Sequence, residues 1–468
     1  MAQQEYKDQP TTSATVAVPE ASALEALQAS LSGKLLRPDD AAYDDARAIH
    51  NGMIDRHPAL IVQCAGVADV INAVNFARVN NLLVSVRGGG HNVAGFAVCD
   101  GGIMIDLSRM KSVWVDPARQ TARAEGGATW GDFDHETQAF GLATTGGVAR
   151  PTGIAGLTLG GGHGFLMRRF GLASDNLLSV DLVTADGQLQ RVSAKEHADL
   201  FWGVRGGGGN FGVATSFEYQ LHPVGPLLGG LLIYPIQKAK EFLQLYRDFT
   251  STAPDEFGSV AVLATLPDGT PATGTLIGFS GAFEEGERLL QPLRAFGPPL
   301  QDLLGPMPYT GLQSIAENFN LPGLRNYWKS GYLRSLSDEA ITTLVDSFAT
   351  VPAPHSHVVI EHCGGAVSRR GRDETAYNHR DAQYNLAIVG MWSNAGEDDK
   401  NIRWVRGLWE AMQPFASGEV YVNYEADQGI DRVKAAYSPT TYARLVALKN
   451  KYDPTNLFGL NQNIKPTL

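Results

Sequence analysis

The chain has 468 residues, which is too long for one ordinary hydrophobic core, so we expect two or three packing units. Hydrophobic residues make up 44% and charged residues 19%, a globular composition that excludes an intrinsically disordered chain. The net charge of −11, without a run of Lys or Arg, argues against a nucleic-acid partner.

Residues 1–35 are predicted to be a flexible polar leader, and they lack the basic and apolar segments of a signal peptide. No apolar run of about 18 residues is present, so we expect no contact with a membrane. The cysteines, Cys64, Cys99 and Cys363, form no CxxC pair, which argues against a disulfide framework and a structural zinc site. These features together predict a cytoplasmic protein.

An α/β pattern begins near Leu36 and continues to Pro223. Apolar residues between Val67 and Asn80 share one helical face, and LLVSV (82–86) and GIMIDL (102–107) are typical of short buried strands. Residues 176–193 predict a β-hairpin with an Asp186-Gly187 turn. We therefore expect a first domain over residues 36–223.

The pattern changes over residues 224–419, where longer strands alternate with amphipathic helices. The predicted strands lie at 229–236, 259–266, 274–283, 357–363 and 384–392, and the predicted helices at 286–296, 338–348 and 401–412. This pattern predicts a second α+β domain, an antiparallel sheet faced by helices. The tail, residues 420–468, is predicted to be helical and then irregular.

Two glycine-rich stretches indicate a cofactor site. In RGGGHN (87–92) a buried strand runs into residues without side chains, so that successive backbone N–H groups can converge on an anion. The spacing is not GxGxxG, which disfavours a Rossmann dinucleotide site. TGIAGLTLGGGHG (152–164) adds a second backbone surface bordered by apolar side chains. The two stretches fit a dinucleotide with a flat ring system; the alternative is a pair of tight loops inside a core.

Four segments, LLVSVRGGGHNVAG, TGIAGLTLGGGHGFLMRRFGLASDNL, LFWGVRGGGGNFGV and YDPTNLFGLNQNIKP, together resemble the berberine-bridge-enzyme-like branch of the vanillyl-alcohol-oxidase flavoprotein superfamily. The resemblance covers roughly residues 36–468. It implies a PCMH-type FAD-binding domain built from residues 36–223 and the tail, with a substrate domain over 224–419.

The resemblance also implies that His91 is joined covalently to the flavin. Ala149 stands where doubly linked relatives carry a second attachment site, a cysteine, and Leu157 replaces a histidine of those relatives. We therefore expect a single histidyl linkage, as in the 6-hydroxynicotine-oxidase type. Thr152 falls where relatives line the approach of oxygen. The resemblance places further residues at FAD: Arg87, Gly88, Gly89, Gly90, Asn92, Gly153, Gly156, Gly160, Gly162, Val213, Asn423, Asn461 and Asn463.

Glu361 is the first candidate for catalysis. In HVVIEHC, strand alternation puts Glu361 on one face with Val359, and an acid in an apolar strand is costly unless it is paired or faces a cavity. The resemblance places a catalytic carboxylate here; the alternative is a surface glutamate. It also places Tyr421 and Tyr424 beside the flavin, with Tyr424 at the position of a phenolic base, although packing at a domain interface is an alternative for both.

Other polar residues receive structural interpretations or none. Lys329, His379 and Arg380 are expected to be structural residues of loops, and His163, inside the second glycine-rich stretch, has no assigned role. No HExxH motif or other metal-ligand spacing is present, so no metal is expected.

The resemblance implies an FAD-dependent oxidase of secondary metabolism, a monomer or homodimer that moves a hydride from a small alcohol, amine or phenolic natural product to the flavin, with O2 as acceptor and H2O2 as product. The alternatives are an oligosaccharide oxidase, a dehydrogenase with another acceptor, an NADPH-dependent reductase, and a protein that keeps FAD only for structure.

Overall fold

The computed structural model of the protein describes residues 19–426 and 429–467. The N-terminal unit contains strands β1 (Lys34–Leu36), β2 (Leu60–Gln63), β3 (Val84–Arg87), β4 (Ile103–Asp106), β5 (Val113–Asp116), β6 (Thr121–Glu125), β7 (Leu142–Ala143), β8 (Leu177–Val183), β9 (Leu189–Ser193), β10 (Val213–Gln220) and β11 (His222–Pro223). Its helices are α1 (Ala21–Ser30), α2 (Tyr43–Arg47), α3 (Val67–Val79), α4 (Trp130–Gln138), α5 (Ile154–Leu159), α6 (Met167–Phe170) and α7 (Ala198–Gly203).

Two sheets organise this unit. The first has the order β1-β2-β4-β3, with β2, β4 and β3 parallel, and the second is antiparallel with the order β5-β6-β10-β8-β9. The predicted hairpin is confirmed as β8 and β9, with Gly187 at a φ of +79° in its turn, a conformation that side chains disfavour. Strand β3 ends at Arg87, so the first glycine-rich stretch leaves the carboxyl end of a parallel strand.

The prediction of a flexible leader over residues 1–35 is wrong from Ala21 onward, and residues 1–18 lie outside the described residues. Helix α1 buries Leu24 and Leu27 in the core that also contains α3, and β1 pairs with β2. Each buried leucine contributes about 2 kcal/mol of transfer free energy. The sequence prediction missed this helix because only two large apolar residues, Leu24 and Leu27, mark its buried face.

The central unit contains strands β12 (Leu227–Pro235), β13 (Phe257–Thr265), β14 (Pro271–Phe279), β15 (Gln301–Asp302), β16 (Gly305–Met307), β17 (Arg325–Leu333), β18 (His357–His362) and β19 (Tyr384–Trp392). Its helices are α8 (Ala239–Thr250), α9 (Phe283–Arg294), α10 (Tyr309–Ile315), α11 (Asp338–Phe348), α12 (Ala366–Arg369) and α13 (Asp398–Met412). The strands form one antiparallel sheet in the order β15-β12-β14-β13-β18-β19-β17, with β16 also paired to β12.

The two faces of this sheet have different roles. Helices α8, α9, α11 and α13 cover one face and form the main core of the unit with it. The other face meets the N-terminal unit: a Cβ atom on Gly258 of β13 would lie 2.0 Å from the carbonyl oxygen of Phe165. The predicted α+β class, an antiparallel sheet faced by helices, is confirmed. The sequence prediction missed β17 and assigned its Lys329 to a loop.

The tail returns to the N-terminal unit through a 3-10 turn (Val422–Tyr424) and helices α14 (Ile430–Ala435) and α15 (Pro439–Tyr452). Lys449 of α15 is fully buried and donates to the Asp453 carboxylate at 2.6 Å and to the carbonyl oxygens of Asn210 and Phe458 at 2.7 and 3.0 Å. These bonds attach the tail to the loop that precedes β10. Within the described residues, no helix has the length and apolar character that a membrane span requires.

Candidate active site

The two units and the tail enclose a cavity of about 380 Å³. One half is lined by the glycine-rich stretches of the N-terminal unit, and the other by the open face of the central sheet and the 3-10 turn of the tail. The first half of the cavity is therefore lined largely by main chain. The second half, called the chamber below, is lined by side chains of the central sheet and the tail.

The first glycine-rich stretch presents its main chain to this cavity. The backbone N–H groups of residues 89–92 donate no hydrogen bond to any described residue, and Gly90 has a φ of +70°. Consecutive free N–H groups in such a turn form a concave site for an anion. A Cβ atom on Gly89 would lie 2.4 Å from the backbone nitrogen of Gly153, so the two glycine-rich stretches touch where neither has a side chain. The main chain present here fits a diphosphate.

His91 lies at the end of this stretch and lines the cavity. Its ring stacks on that of His50, with centroids 4.1 Å apart and an interplanar angle of 20°. Burial, together with the neighbouring His50, lowers the pKa of His91 to about 3. The imidazole is therefore neutral at physiological pH, the form in which it is a nucleophile.

Most of the cofactor-binding residues expected from the resemblance line the cavity: Gly88, Gly89, Gly90, His91, Asn92, Thr152, Gly153, Gly156, Leu157, Val213, Asn423 and Asn461. Ala149 lines it too, while Cys64, Cys99 and Cys363 are buried elsewhere.

Four of the residues expected at the cofactor, Arg87, Gly160, Gly162 and Asn463, do not line the cavity. Arg87 instead makes a bidentate pair with Asp106, at 2.9 and 2.7 Å, and so anchors the base of the first stretch. The second stretch turns away after α5. There, a Cβ atom on Gly160 would lie 2.0 Å from the Asn423 side chain, and the Gly162 N–H donates to the Tyr421 hydroxyl at 3.0 Å.

Glu361 faces the cavity from β18 and is only 3% exposed. The Tyr424 hydroxyl donates to its Oε1 atom at 2.6 Å, and the Asn385 amide donates to its Oε2 atom at 2.8 Å. Asn385 stands opposite Glu361 in the register of β18 and β19, so the sheet itself sets this contact. Both Glu361 and Tyr424 line the chamber, as does Tyr421, whose ring meets that of Tyr424 edge-on at 5.0 Å.

The sequence prediction missed His163, which completes the site. Its Nδ1 atom lies 2.8 Å from Glu361 Oε2, its Nε2 atom lies 3.0 Å from the Tyr377 hydroxyl, and its ring stacks on Tyr421 with centroids 4.0 Å apart. Because a carboxylate only accepts hydrogen bonds, the Nδ1 atom of His163 carries a proton and donates it to this bond. Tyr377 also bonds the Tyr332 hydroxyl at 2.7 Å, which extends a buried polar chain away from the cavity.

This network controls the ionisation of the site. Burial acts to raise the pKa of Glu361, but the hydrogen bonds from His163, Asn385 and Tyr424 outweigh it and bring the pKa below its ordinary value. Burial and the Glu361 charge raise the pKa of Tyr424 well above its ordinary value. The arrangement therefore holds a carboxylate that accepts a hydrogen bond from a neutral phenol, and Tyr424 is not a phenolate at rest.

Comparisons with known proteins agree with this site. The family model for the FAD binding domain matches residues 58–193, and the model for berberine and berberine-like proteins matches residues 420–465. The (R)-6-hydroxynicotine oxidase of Paenarthrobacter nicotinovorans is 34% identical over 450 residues, covering 93% of this chain and 97% of that protein. An FAD-linked oxidoreductase of Dictyostelium discoideum is 33% identical over 413 residues, covering 87% of this chain and 89% of its own.

Solved structures show the same fold. The 6-hydroxy-D-nicotine oxidase of Arthrobacter nicotinovorans has a TM-score of 0.87 at 31% identity, over 93% of this chain and 98% of that one. A chitooligosaccharide oxidase has a TM-score of 0.84 at 26% identity, over 95% of this chain and 100% of its own. With a main-chain anion site, a histidine at its end and two matching family models, this chain belongs to the berberine-bridge-enzyme-like family of FAD-linked oxidoreductases.

Proposed function

We propose that this protein is an oxidase that carries FAD on a single histidyl linkage, oxidises a small, largely apolar organic molecule and uses O2 as electron acceptor. The observation that carries the proposal is the Glu361–Tyr424 pair, a carboxylate and a phenol 2.6 Å apart at the wall of the cavity. Bound FAD would supply the hydride acceptor and the route for electrons to O2.

The chain's own residues would supply the proton acceptor. The O–H or N–H group next to the oxidised carbon loses its proton to the Tyr424 oxygen, while the Tyr424 proton moves to Glu361 Oε1 along the 2.6 Å hydrogen bond. No free phenolate forms, which agrees with the raised pKa of Tyr424. His163 and Asn385 hold the second oxygen of Glu361 and keep the carboxylate aligned.

His91 would hold the flavin, and the residues around it support a single linkage. The neutral His91 imidazole ends the main-chain anion site, and Ala149 offers no thiol at the cavity wall. We expect acid precipitation to leave the yellow colour in the protein pellet and the His91→Ala variant to release it to the supernatant. Pigment released from the unmodified protein would contradict the linkage, without bearing on the Glu361 site.

The wall of the chamber favours an apolar substrate over an oligosaccharide, the alternative that the chitooligosaccharide oxidase fold raises. Its aliphatic lining includes Leu231, Val260, Val262, Leu276, Val359 and Val389. A sugar would leave most of its hydroxyl groups without partners there, which is costly. The relative named (R)-6-hydroxynicotine oxidase takes its name from a small aromatic molecule, which also favours an aromatic substrate over an oligosaccharide.

The deciding experiment is anaerobic reduction of the flavin by a panel of aromatic alcohols, amines, phenols and oligosaccharides, followed by admission of air. We expect apolar aromatic compounds to bleach the flavin and air to restore it with release of H2O2. Bleached protein that persists in air would identify a dehydrogenase. Bleaching by oligosaccharides alone would reject the substrate class.

A further inference from the structure

The register of the central sheet sorts the side chains of the chamber into rows across the strands. Glu361 pairs with Val260 and Asn385, and this set is the first row. The next cavity-facing residue of β18 is Val359, which pairs with Val262 and Ala387 and forms the second row. The third row contains His357, its partner Val389 and, across from Val389, Trp328 of β17.

These rows differ in chemistry. The first row holds the proton acceptor, and the residues of the second row that line the cavity, Val359, Val262 and Ala387, are all aliphatic. In the third row the Trp328 Nε1–H is already donated to Asn326 Oδ1 at 3.1 Å, so that ring offers only an apolar surface. His357 is therefore the residue of the second and third rows that can still form a hydrogen bond with a ligand. A strand advances roughly 7 Å for every two residues. The third row, four residues from the first, therefore lies roughly 13 Å from it along the strand.

The state of His357 follows from its contacts. Its Nδ1 atom lies 2.9 Å from the carbonyl oxygen of His355, which can only accept, so Nδ1 carries the proton. Burial lowers the pKa of His357, so the ring is neutral at physiological pH. Its Nε2 atom receives no hydrogen bond from any described residue, and the side chain lines the cavity. A lone pair is thus available at the end of the chamber remote from Glu361.

We propose that His357 Nε2 accepts a hydrogen bond from the remote end of the substrate, and that the substrate is an elongated apolar molecule with an O–H or N–H donor at that end. This inference rests on the proposed function, because it assumes that oxidation takes place beside Glu361. The aliphatic second row then covers the middle of the molecule. The Phe319 ring, which meets His357 edge-on at 6.1 Å, adds an aromatic surface to the remote end of the cavity.

The test uses two probes that differ in one group, 4′-hydroxybiphenyl-4-methanol and biphenyl-4-methanol. Each is titrated by calorimetry into dithionite-reduced holoenzyme, which cannot oxidise them, so that only binding is measured. The variants are His357→Phe, which keeps a flat side chain without an acceptor, and His357→Gln, which keeps an acceptor oxygen. The ratio of flavin to protein absorbance and the melting temperature are measured for each variant.

We expect 4′-hydroxybiphenyl-4-methanol to bind the unmodified protein about tenfold more tightly than biphenyl-4-methanol, because one hydrogen bond contributes about this factor to affinity. His357→Phe removes this preference, and His357→Gln restores part of it. Equal binding of the two probes, a preference that survives in His357→Phe, or no binding of either probe overturns the inference. Failure of the proposed function would give a different result from failure of this inference. In that case no compound would reduce the flavin, whichever probe binds.

Discussion

His163 Nδ1 lies 2.8 Å from Glu361 Oε2, so the second glycine-rich stretch of the N-terminal unit is joined directly to strand β18 of the central unit. The carboxylate on the substrate side is therefore positioned by a residue whose neighbours in sequence belong to the cofactor side.

His163→Gln should shift the pH dependence of flavin reduction. The bond from His163 helps to hold the pKa of Glu361 below its ordinary value, so its weakening lets that pKa rise. Glu361 accepts a proton only when ionised, and the acidic limb of the rate profile should move to higher pH. Stopped-flow reduction across pH measures this, with exposed His57→Gln as the control. An unmoved acidic limb would mean that His163 has only a packing role.

Glu361→Gln and Tyr424→Phe should each slow flavin reduction at least about tenfold, or about 1.4 kcal/mol of barrier. Because the two side chains pass one proton along a single hydrogen bond, the double variant should be little slower than either single variant. Single-turnover rates for the four proteins test this. If the rate loss of the double variant equals the product of the two single losses, the two residues act independently.

Two glycine substitutions should separate folding from cofactor binding. Gly89→Ala places a Cβ atom 2.4 Å from the Gly153 nitrogen, so it should lower the melting temperature and the yield of folded protein. In Gly156→Ala no protein atom lies within 4 Å of the new Cβ, and alanine is about 1 kcal/mol better than glycine in a helix. That variant should fold well but incorporate less flavin, because Gly156 lines the cavity. Full flavin content in Gly156→Ala would place the cofactor elsewhere.

Asp134 of α4 should make the protein less stable as the pH rises. Burial, partly offset by the bond from Gln313 of α10 at 3.1 Å, raises the pKa of Asp134 to about 7. An unfolded Asp ionises near pH 4, so between about pH 4 and pH 7 the native state binds more protons and stability falls with rising pH.

Asp134→Asn should remove this loss. The melting temperature of Asp134→Asn minus that of the unmodified protein should be larger at pH 8 than at pH 5. Exposed Asp39→Asn is the matched control and should leave the pH dependence unchanged. Parallel melting curves for the unmodified protein and Asp134→Asn at all pH values would show that Asp134 is ionised in the folded state.

The fold was readable from the sequence where one local pattern decides the outcome. Strand alternation in HVVIEHC put Glu361 and Val359 on one face, and both face the cavity. Strand β17 was missed because RNYWKSGYL mixes aromatic and charged residues without a clean alternation, and its Lys329 is nevertheless buried against the Trp409 ring.

His163 was missed for a different reason. Its partners Glu361, Tyr377 and Tyr421 are about 200 or more residues away in sequence, and no local pattern around a histidine between glycines reports on them. The only available signal was that a bulky polar side chain interrupts a stretch otherwise made of small and apolar residues. Such a residue needs a partner if it is buried, and the sequence does not show which one.

The tail also determines when during synthesis the cavity can close. Tyr421, Asn423 and Asn461 form part of the cavity wall, and Lys449 fixes the tail from within the core. A nascent chain that has completed both sheets still lacks this wall, so the pocket closes only after the tail has left the ribosome. Without the tail, the cavity would lack the part of its wall that Tyr421, Asn423 and Asn461 provide.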